Sequence, residues 1–235
     1  MVISAPEIAA KALPGQFVHI KCGEENMLRR PISICDINGD DLTIVFEARG
    51  KGTDWLTKRT AGEELDVLGP LGHGFDVSRE GKVLLAGGGI GVPPMLYTAK
   101  ALKDCDAVLG FRNASAVMLE DEFKAVCGNV VVSTDDGSYG FNGYAVKAAE
   151  EMMQNNKYSA IYACGPKIML KTFAALAEKY GVDCLISMEE RMGCGFGTCL
   201  VCSCKVKMNT EEGFTYKRVC ADGPVFDAKE VIFDD

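Results

Sequence analysis

The sequence predicts an α/β plus all-β protein: an N-terminal antiparallel barrel, then a parallel-sheet domain, then a C-terminal segment of neither kind. Three observations carry this reading. Residues 1 to about 78 are short β-rich runs bounded by Gly, Pro, Asn and Asp. Residues 79 to 188 alternate apolar runs with helical periods, the pattern of a parallel sheet with right-handed crossovers. From residue 189 to 235 the chain is rich in Gly and Cys and has no clear period.

The elements follow in order. "GQFVHIKC", "RPISICDI", "DLTIVFEARG" and "GEELDVLGPLG" read as strands, with "GTDWLTKR" able to form one short turn of helix. No amphipathic helix is long enough to cover them, so a small antiparallel barrel is the natural solution. The change of class falls near Asp76 to Lys82. "KVLLA" is then a buried strand, "GGGIG" a glycine turn and "VPPMLYTAKALKD" a helix. "DAVLGFR", "NVVVSTDD", "SAIYACGP" and "VDCLISM" are further strands. "AVMLEDEFKAV", "NGYAVKAAEEMMQNN" and "KIMLKTFAALAEKYG" are the helices between them.

Composition narrows the function classes. Of 235 residues, 48% are apolar and 25% charged, which suits a packed globular chain. The net charge of −8 and the lack of a Lys/Arg run argue against nucleic acid and anionic lipid. No apolar stretch reaches the roughly 18 residues of a membrane span. The start, "MVISAPEIAAKALPGQF", lacks the basic and apolar regions of a signal peptide, so a cytoplasmic location is expected.

Eleven cysteines in a reducing compartment are not expected to form a disulfide framework. Cys22, Cys35, Cys105, Cys127, Cys164 and Cys184 lie singly in apolar runs and read as small buried hydrophobes. Cys194, Cys199 and Cys202 are spaced C-x4-C-x2-C, and Cys220 follows after 17 residues. That is the plant-type spacing for a [2Fe–2S] cluster. A structural zinc site, the competing reading, usually pairs two C-x2-C units or adds histidine, and His19 and His73 are far upstream. Gly193, Gly195 and Gly197 would let backbone amides turn toward the sulfurs at little steric cost. Cys204 lies where "VCSCKV" begins to alternate as a strand and reads as a packed thiol.

Three other stretches leave two readings each. "AGGGIGVPPM" joins a strand to a helix, so its amides could bind pyrophosphate, although the spacing is not G-x-G-x-x-G and a plain tight turn also fits. Pro93 and Pro94 suit a first helical turn. In "RRPISI", Arg30 and Ser33 could hold a phosphate or a flavin edge, or Arg30 could simply be a surface arginine. Gly50, Gly52 and Thr53 form either an anion cradle or a turn.

Taken together, Arg30 to Ser33, Gly50 to Thr53, Gly69 to Gly72, Gly87 to Pro94 and Cys164 to Pro166 resemble the ferredoxin–NAD(P)+ reductase superfamily. "MEERMGCGFGTCLVCSCKV" is similar to the electron-transfer subunits of dihydroorotate dehydrogenase B, and the likeness covers almost the whole chain. The resemblance implies that the barrel binds FAD, the parallel-sheet domain NAD, and the last segment a [2Fe–2S] cluster. By position, Arg30, Pro31, Ile32 and Ser33 would hold the flavin and its phosphates. Val45, Phe46 and Glu47 would line it through backbone contacts, and Gly52 and Thr53 would bind its pyrophosphate. Gly87, Gly88, Gly89 and Gly91 would form the nicotinamide-nucleotide loop, with Ser133 to Gly140 beside the nucleotide. Cys164 and Gly165 would approach nicotinamide and flavin. Cys194, Cys199, Cys202 and Cys220 would ligate the cluster.

The resemblance further implies an FMN-containing, barrel-type catalytic subunit that oxidises dihydroorotate, a heterotetramer, and NAD+ as electron acceptor in pyrimidine biosynthesis. Hydride exchange between flavin and nicotinamide needs no acid–base pair, and none is evident. The chain offers no recognisable dihydroorotate site, so it should not oxidise that substrate alone. Arg112, after "AVLGF", could favour a 2′-phosphate, whereas the resemblance favours NAD. The family's first strand is usually longer than the one beginning at "ISAPEIA", so the barrel edge is expected to be short. Two alternatives share these features: the small subunit of an NADH-dependent ferredoxin:NADP+ oxidoreductase or a sulfide dehydrogenase, and a zinc-stapled adaptor. The four-cysteine set and the short tail favour the first reading.

Overall fold

The computed structural model describes residues 1–233, so the last two positions of the cysteine-rich segment lie outside the described residues. The first five strands are β1 (Val2–Ser4), β2 (Phe17–Ile20), β3 (Arg30–Asn38), β4 (Asp41–Ile44) and β5 (Val67–Leu71). They form one curled antiparallel sheet in the order β1-β4-β3-β2-β5, with β1 and β5 as its edges rather than paired into a closed ring. The curl comes from β3. Its first half pairs with β2 and its second half with β4, and the register shifts between Ile34 and Asp36. A bulge bends and twists a strand. Two short helices accompany the sheet, α1 (Pro6–Ala9) and α2 (Lys51–Thr57). The strand expected over 41–50 stops at Ile44, and residues 45–49 continue without ladder bonds.

The second sheet is parallel at its centre. Its strands are β6 (Val83–Gly88), β7 (Cys105–Phe111), β8 (Val130–Thr134), β9 (Phe141–Asn142), β10 (Ala160–Cys164) and β11 (Asp183–Ser187). Between them run α3 (Val92–Ala101), α4 (Glu120–Lys124), α5 (Ala145–Asn155) and α6 (Lys167–Tyr180). All six residues of β6 are buried, as expected of a strand covered on both faces. α4 is shorter than the periodicity predicts. It begins after Leu119 at φ +62 and opens with three acidic residues, which suit a helix N-terminus. α6 ends on Gly181 in the left-handed region, a common helix stop.

The C-terminal segment is not a separate layer. It forms a hairpin of β12 (Ser203–Lys207) and β13 (Phe214–Arg218), then returns β14 (Val225–Asp227) to the large sheet, antiparallel to β11. The full order is β14-β11-β10-β6-β7-β8-β9. Cys202, Cys204, Val206, Val219, Cys220 and Phe226 share one apolar cluster with α5, α6 and Phe17 of the first sheet. The opposite face of the large sheet packs under α3 and α4, and the antiparallel sheet has its own small core around Val18, Ile20, Ile34 and Leu42.

The two sheets are joined by specific contacts. The Tyr97 hydroxyl of α3 donates to the Ala12 carbonyl at 3.0 Å, and Lys100 pairs with Asp36 of β3 at 2.5 Å. In the connecting stretch Phe75 stacks on Tyr162 with ring centroids 5.1 Å apart, and the Tyr162 hydroxyl donates to the Asp76 carbonyl.

Candidate functional site

Arg30 to Ser33 open β3, a central strand, yet all four residues are only half-buried. A central strand with an uncovered stretch offers a flat surface for a ligand. The Arg30 guanidinium lies against the first turn of α2, where a β-carbon at Gly52 would stand 2.5 Å from Arg30 Nε. Two stretches some twenty residues apart in sequence therefore meet. Thr53 Oγ1 accepts the amide of Arg49 at 2.9 Å, so this hydroxyl closes the start of its own helix. Val45 and Phe46 are half-buried against the neighbouring cores. Glu47 is exposed and pairs with Arg49 at 2.8 Å. The half-open strand, the guanidinium and the Gly50–Thr53 turn are a set that fits a flavin nucleotide.

The second group lies at the carboxyl ends of β6 and β10. These strands are neighbours, but β6 leads on through α3 to β7 on its other side. The chain therefore reverses direction across the sheet between them, the crevice where open α/β sheets bind ligands. Gly91 shows why a side chain is excluded: its β-carbon would lie 2.4 Å from the Cys164 carbonyl oxygen. Gly88 and Gly165 meet backbone to backbone in the same place. Gly89, at φ +54, faces open space just before the N-terminus of α3. That combination of free amides and helix dipole fits a pyrophosphate. Ser133 Oγ, at the end of β8, is buried without a hydrogen-bond partner. The residues after it fold on themselves, with Asp136 accepting the Ser138 amide and hydroxyl. Burial pushes the Cys164 thiol up to about 12, so it stays protonated and is no base near neutrality.

The third group is the cysteine loop. Cys194 and Cys199 form one pair: the Cys194 amide donates to Cys199 Sγ at 3.3 Å, and Thr198 and Cys199 amides donate to Cys194 Sγ at 3.2 and 3.4 Å. Cys202 and Cys220 form the other, with the Cys220 amide donating to Cys202 Sγ at 3.4 Å. Among the described residues no three His, Cys, Asp or Glu side chains converge as ligands of a single ion. Two thiol pairs dressed with amides fit the four-cysteine set of a two-iron cluster. Burial opposes ionisation of Cys194, but the amides of Cys199, Phe196 and Thr198 bring its thiol down to about 6. Burial and the neighbouring Cys202 push Cys220 up to about 12. Iron binding would have to displace that proton. Cys204 is buried in β12, and burial pushes it up to about 11. Of the six cysteines expected to be buried, Cys127 alone is half-exposed, 3.6 Å from Cys105.

Two residues of this loop's setting escaped the sequence reading. Arg218 grips Asp222 through Nε and Nη2, each at 2.8 Å, and donates to the Gly197 carbonyl at 3.0 Å. It ties the stretch carrying Cys220 to the loop carrying Cys194 and Cys199. His19 of β2 is fully buried, with Nδ1 3.3 Å from the Cys194 carbonyl oxygen. Alternation points it away from the core of Val18 and Ile20, but only the structure shows that Phe17 and His19, facing the other way, are buried as well. A buried outer face means that something covers it.

Comparison with known proteins finds relatives over nearly the whole chain. A model of the iron–sulfur cluster binding domain of dihydroorotate dehydrogenase B matches residues 189–232. A dihydroorotate dehydrogenase B (NAD(+)) electron transfer subunit from Caldanaerobacter subterraneus subsp. tengcongensis is 43% identical over 225 residues, covering 95% of this chain and 88% of its own. A subunit of the same name from Geobacillus thermodenitrificans is 45% identical over 244 residues, covering 99% and 91%. A chain of the solved NADH-dependent reduced ferredoxin–NADP oxidoreductase is 33% identical with a TM-score of 0.88, covering 99% of this chain and 84% of that one. The Amycolatopsis cytochrome P450 reductase GcoB, at 22% identity and TM-score 0.60, shares the fold over 72% of this chain.

Proposed function

The chain belongs to the family of dihydroorotate dehydrogenase B electron-transfer subunits, and from that premise we propose which of its residues do the work. It is the electron-transfer subunit of an NAD-linked oxidoreductase in pyrimidine biosynthesis, and its family carries FAD and a [2Fe–2S] cluster. When bound, the cluster supplies one-electron transfer and the flavin supplies hydride exchange with nicotinamide.

Cys194, Cys199, Cys202 and Cys220 would hold the cluster, with the amides of Thr198, Cys199 and Cys220 offsetting negative charge on sulfur. Arg30 to Ser33, Val45 to Glu47, Gly52 and Thr53 would bind FAD, the guanidinium neutralising phosphate. Gly87, Gly88, Gly89 and Gly91 would admit the nucleotide's pyrophosphate by backbone, and Cys164 and Gly165 would bound the nicotinamide. Cys164 moves no proton in this scheme, consistent with its protonated thiol. The residues would fall into an FAD-binding unit over 1–78, an NAD-binding unit over 79–188 and a cluster segment over 189–235.

A catalytic, FMN-containing subunit would oxidise dihydroorotate and dock at the cysteine loop, in a heterotetramer. Phe196, Leu200 and Val201 on that loop are exposed apolar side chains, the kind of surface a partner covers. No helix among the described residues is long and apolar enough to cross a membrane. A cytoplasmic site of action is part of the proposal.

The observation that carries the assignment is the approach of the amide-dressed Cys194–Cys199 pair to β2, where His19 reaches the Cys194 carbonyl, β2 being the strand paired to Arg30 to Ser33. The test is to mix purified chain with a catalytic dihydroorotate dehydrogenase subunit and follow dihydroorotate-dependent NAD+ reduction. Activity should need both subunits, and Cys199→Ser should abolish it together with cluster absorption. A mixture as active with Cys199→Ser as without it would refute the ligand assignment. The 33%-identical ferredoxin–NADP oxidoreductase chain favours a second reading, a subunit of that type. It predicts transfer between ferredoxin and a nicotinamide in place of dihydroorotate oxidation, and the same preparation decides between them.

A further inference from the structure

We propose that His19 is a positioning residue that fixes the cysteine loop against the flavin strand and so sets the electronic contact between the two cofactors; this rests on the cofactor assignment above. His19 touches both groups of residues. On β2 it is the direct register partner of Pro31, inside the stretch Arg30 to Ser33. Its ring reaches outward to the loop, where Nδ1 lies 3.3 Å from the carbonyl oxygen of Cys194. A carbonyl only accepts, so Nδ1 carries the proton and donates it.

The loop is shaped to receive this ring. A β-carbon on Gly195 would lie 2.4 Å from His19 Nδ1, and Gly195 sits at φ +81, where other residues are strained. The glycine thus serves two needs, the turn and the close approach of an imidazole. The ring is fully buried, and Nε2 has no partner. A buried polar atom left unpaired costs free energy, so an aliphatic side chain would serve simple packing better. What an aliphatic side chain lacks is the donated hydrogen bond to the Cys194 carbonyl. That bond holds the Cys194 peptide in one orientation, and through it the thiol pair at a fixed distance from β3. Outer contacts of this kind orient ligands and tune the group they hold.

The experiment compares holoprotein of wild type, His19→Leu, His19→Asn and Gly195→Ala. Each is assayed for iron, acid-labile sulfide and flavin, for the electron paramagnetic resonance spectrum and midpoint potential of the reduced cluster, and for the rate of electron transfer between cluster and flavin by stopped flow. His19→Leu should shift the spectrum and potential and slow internal transfer by roughly tenfold, since small misplacements of reacting groups are costly. Gly195→Ala, which forces the ring away, should do the same. His19→Asn keeps an N–H near the position of Nδ1 and should recover most of the wild-type spectrum and rate. If His19→Leu loses the cluster, retention by His19→Asn supports the proposal. Loss of the cluster in both, or wild-type spectra, potentials and rates in His19→Leu, overturns it. Wild-type protein without iron and sulfide would instead overturn the cofactor assignment itself.

Discussion

Asp106 is 1% exposed near the start of β7, with Lys82 Nζ at 2.9 Å and the Tyr158 hydroxyl donating at 2.7 Å. A buried carboxylate is tolerable only with such partners, and removing one member leaves the others uncompensated. Asp106→Ala should therefore cost about 3 kcal/mol, read as a lower urea midpoint with unchanged slope. The site lies at the opposite end of the sheet from the glycine loop, so bound flavin and cluster should be retained. Gly91→Ala tests the other end. Its β-carbon has no room beside the Cys164 carbonyl oxygen, so the loops after β6 and β10 must separate. Nicotinamide nucleotide affinity should fall about tenfold, equivalent to about 1.4 kcal/mol, by calorimetric titration. Unchanged affinity would remove this loop from the nucleotide site.

At the level of elements, the sequence was legible where one signal decides the answer. The five expected strands from Val83 to Ser187 all form, because parallel strands in a covered sheet are apolar runs; the two-residue edge strand β9, whose Asn142 was expected to lie in the following helix, was too short to show. The cysteine spacing was legible because four cysteines within eleven residues are more than packing asks for. Hidden were β13 and β14, polar or short runs whose partners lie far away in sequence, and β1 and α1, too short to show a period. His19 stayed hidden because a lone imidazole in an apolar strand says nothing of what covers it. The same long-range joining gives an acid-sensitive contact. Lys229 beyond β14 and Arg79 before β6 both pair with Asp183 at the start of β11, and their hydrogen bonds hold its carboxyl below the usual carboxylate range. A carboxyl depressed in the folded state stabilises above its unfolded pKa, and that stabilisation is lost as pH falls through the folded value. The groups are partly exposed, so the effect is under about 1 kcal/mol. Asp183→Asn should unfold at lower urea than wild type above about pH 5, and the difference should close in acid. A difference that persisted or grew in acid would rule out this ion pair as its source.

For the whole molecule, the segment that would carry the cluster also completes the fold. β14 covers the edge of β11, and the backbone amide of His73, just after β5, donates to the Gly223 carbonyl at 2.6 Å. Val206, Val219, Cys220, Phe226 and Val231 sit in the same apolar cluster as Leu84, Ile161 and Phe173. Cutting the chain after Met188 would remove these side chains, bare the outer face of β2 at Phe17 and His19, and leave β11 as an open, largely apolar edge. Exposed edges of that kind recruit other strands. A chain ending at residue 188 should therefore aggregate rather than persist as a soluble flavoprotein, as followed by size-exclusion chromatography and light scattering. A monomeric, flavin-loaded product of that truncation would show that the cluster segment is a detachable module. The contacts argue the reverse. An electron carrier must hold its redox groups at fixed separation, and here the cysteine loop is bound by one covalent chain to both sheets it stands between.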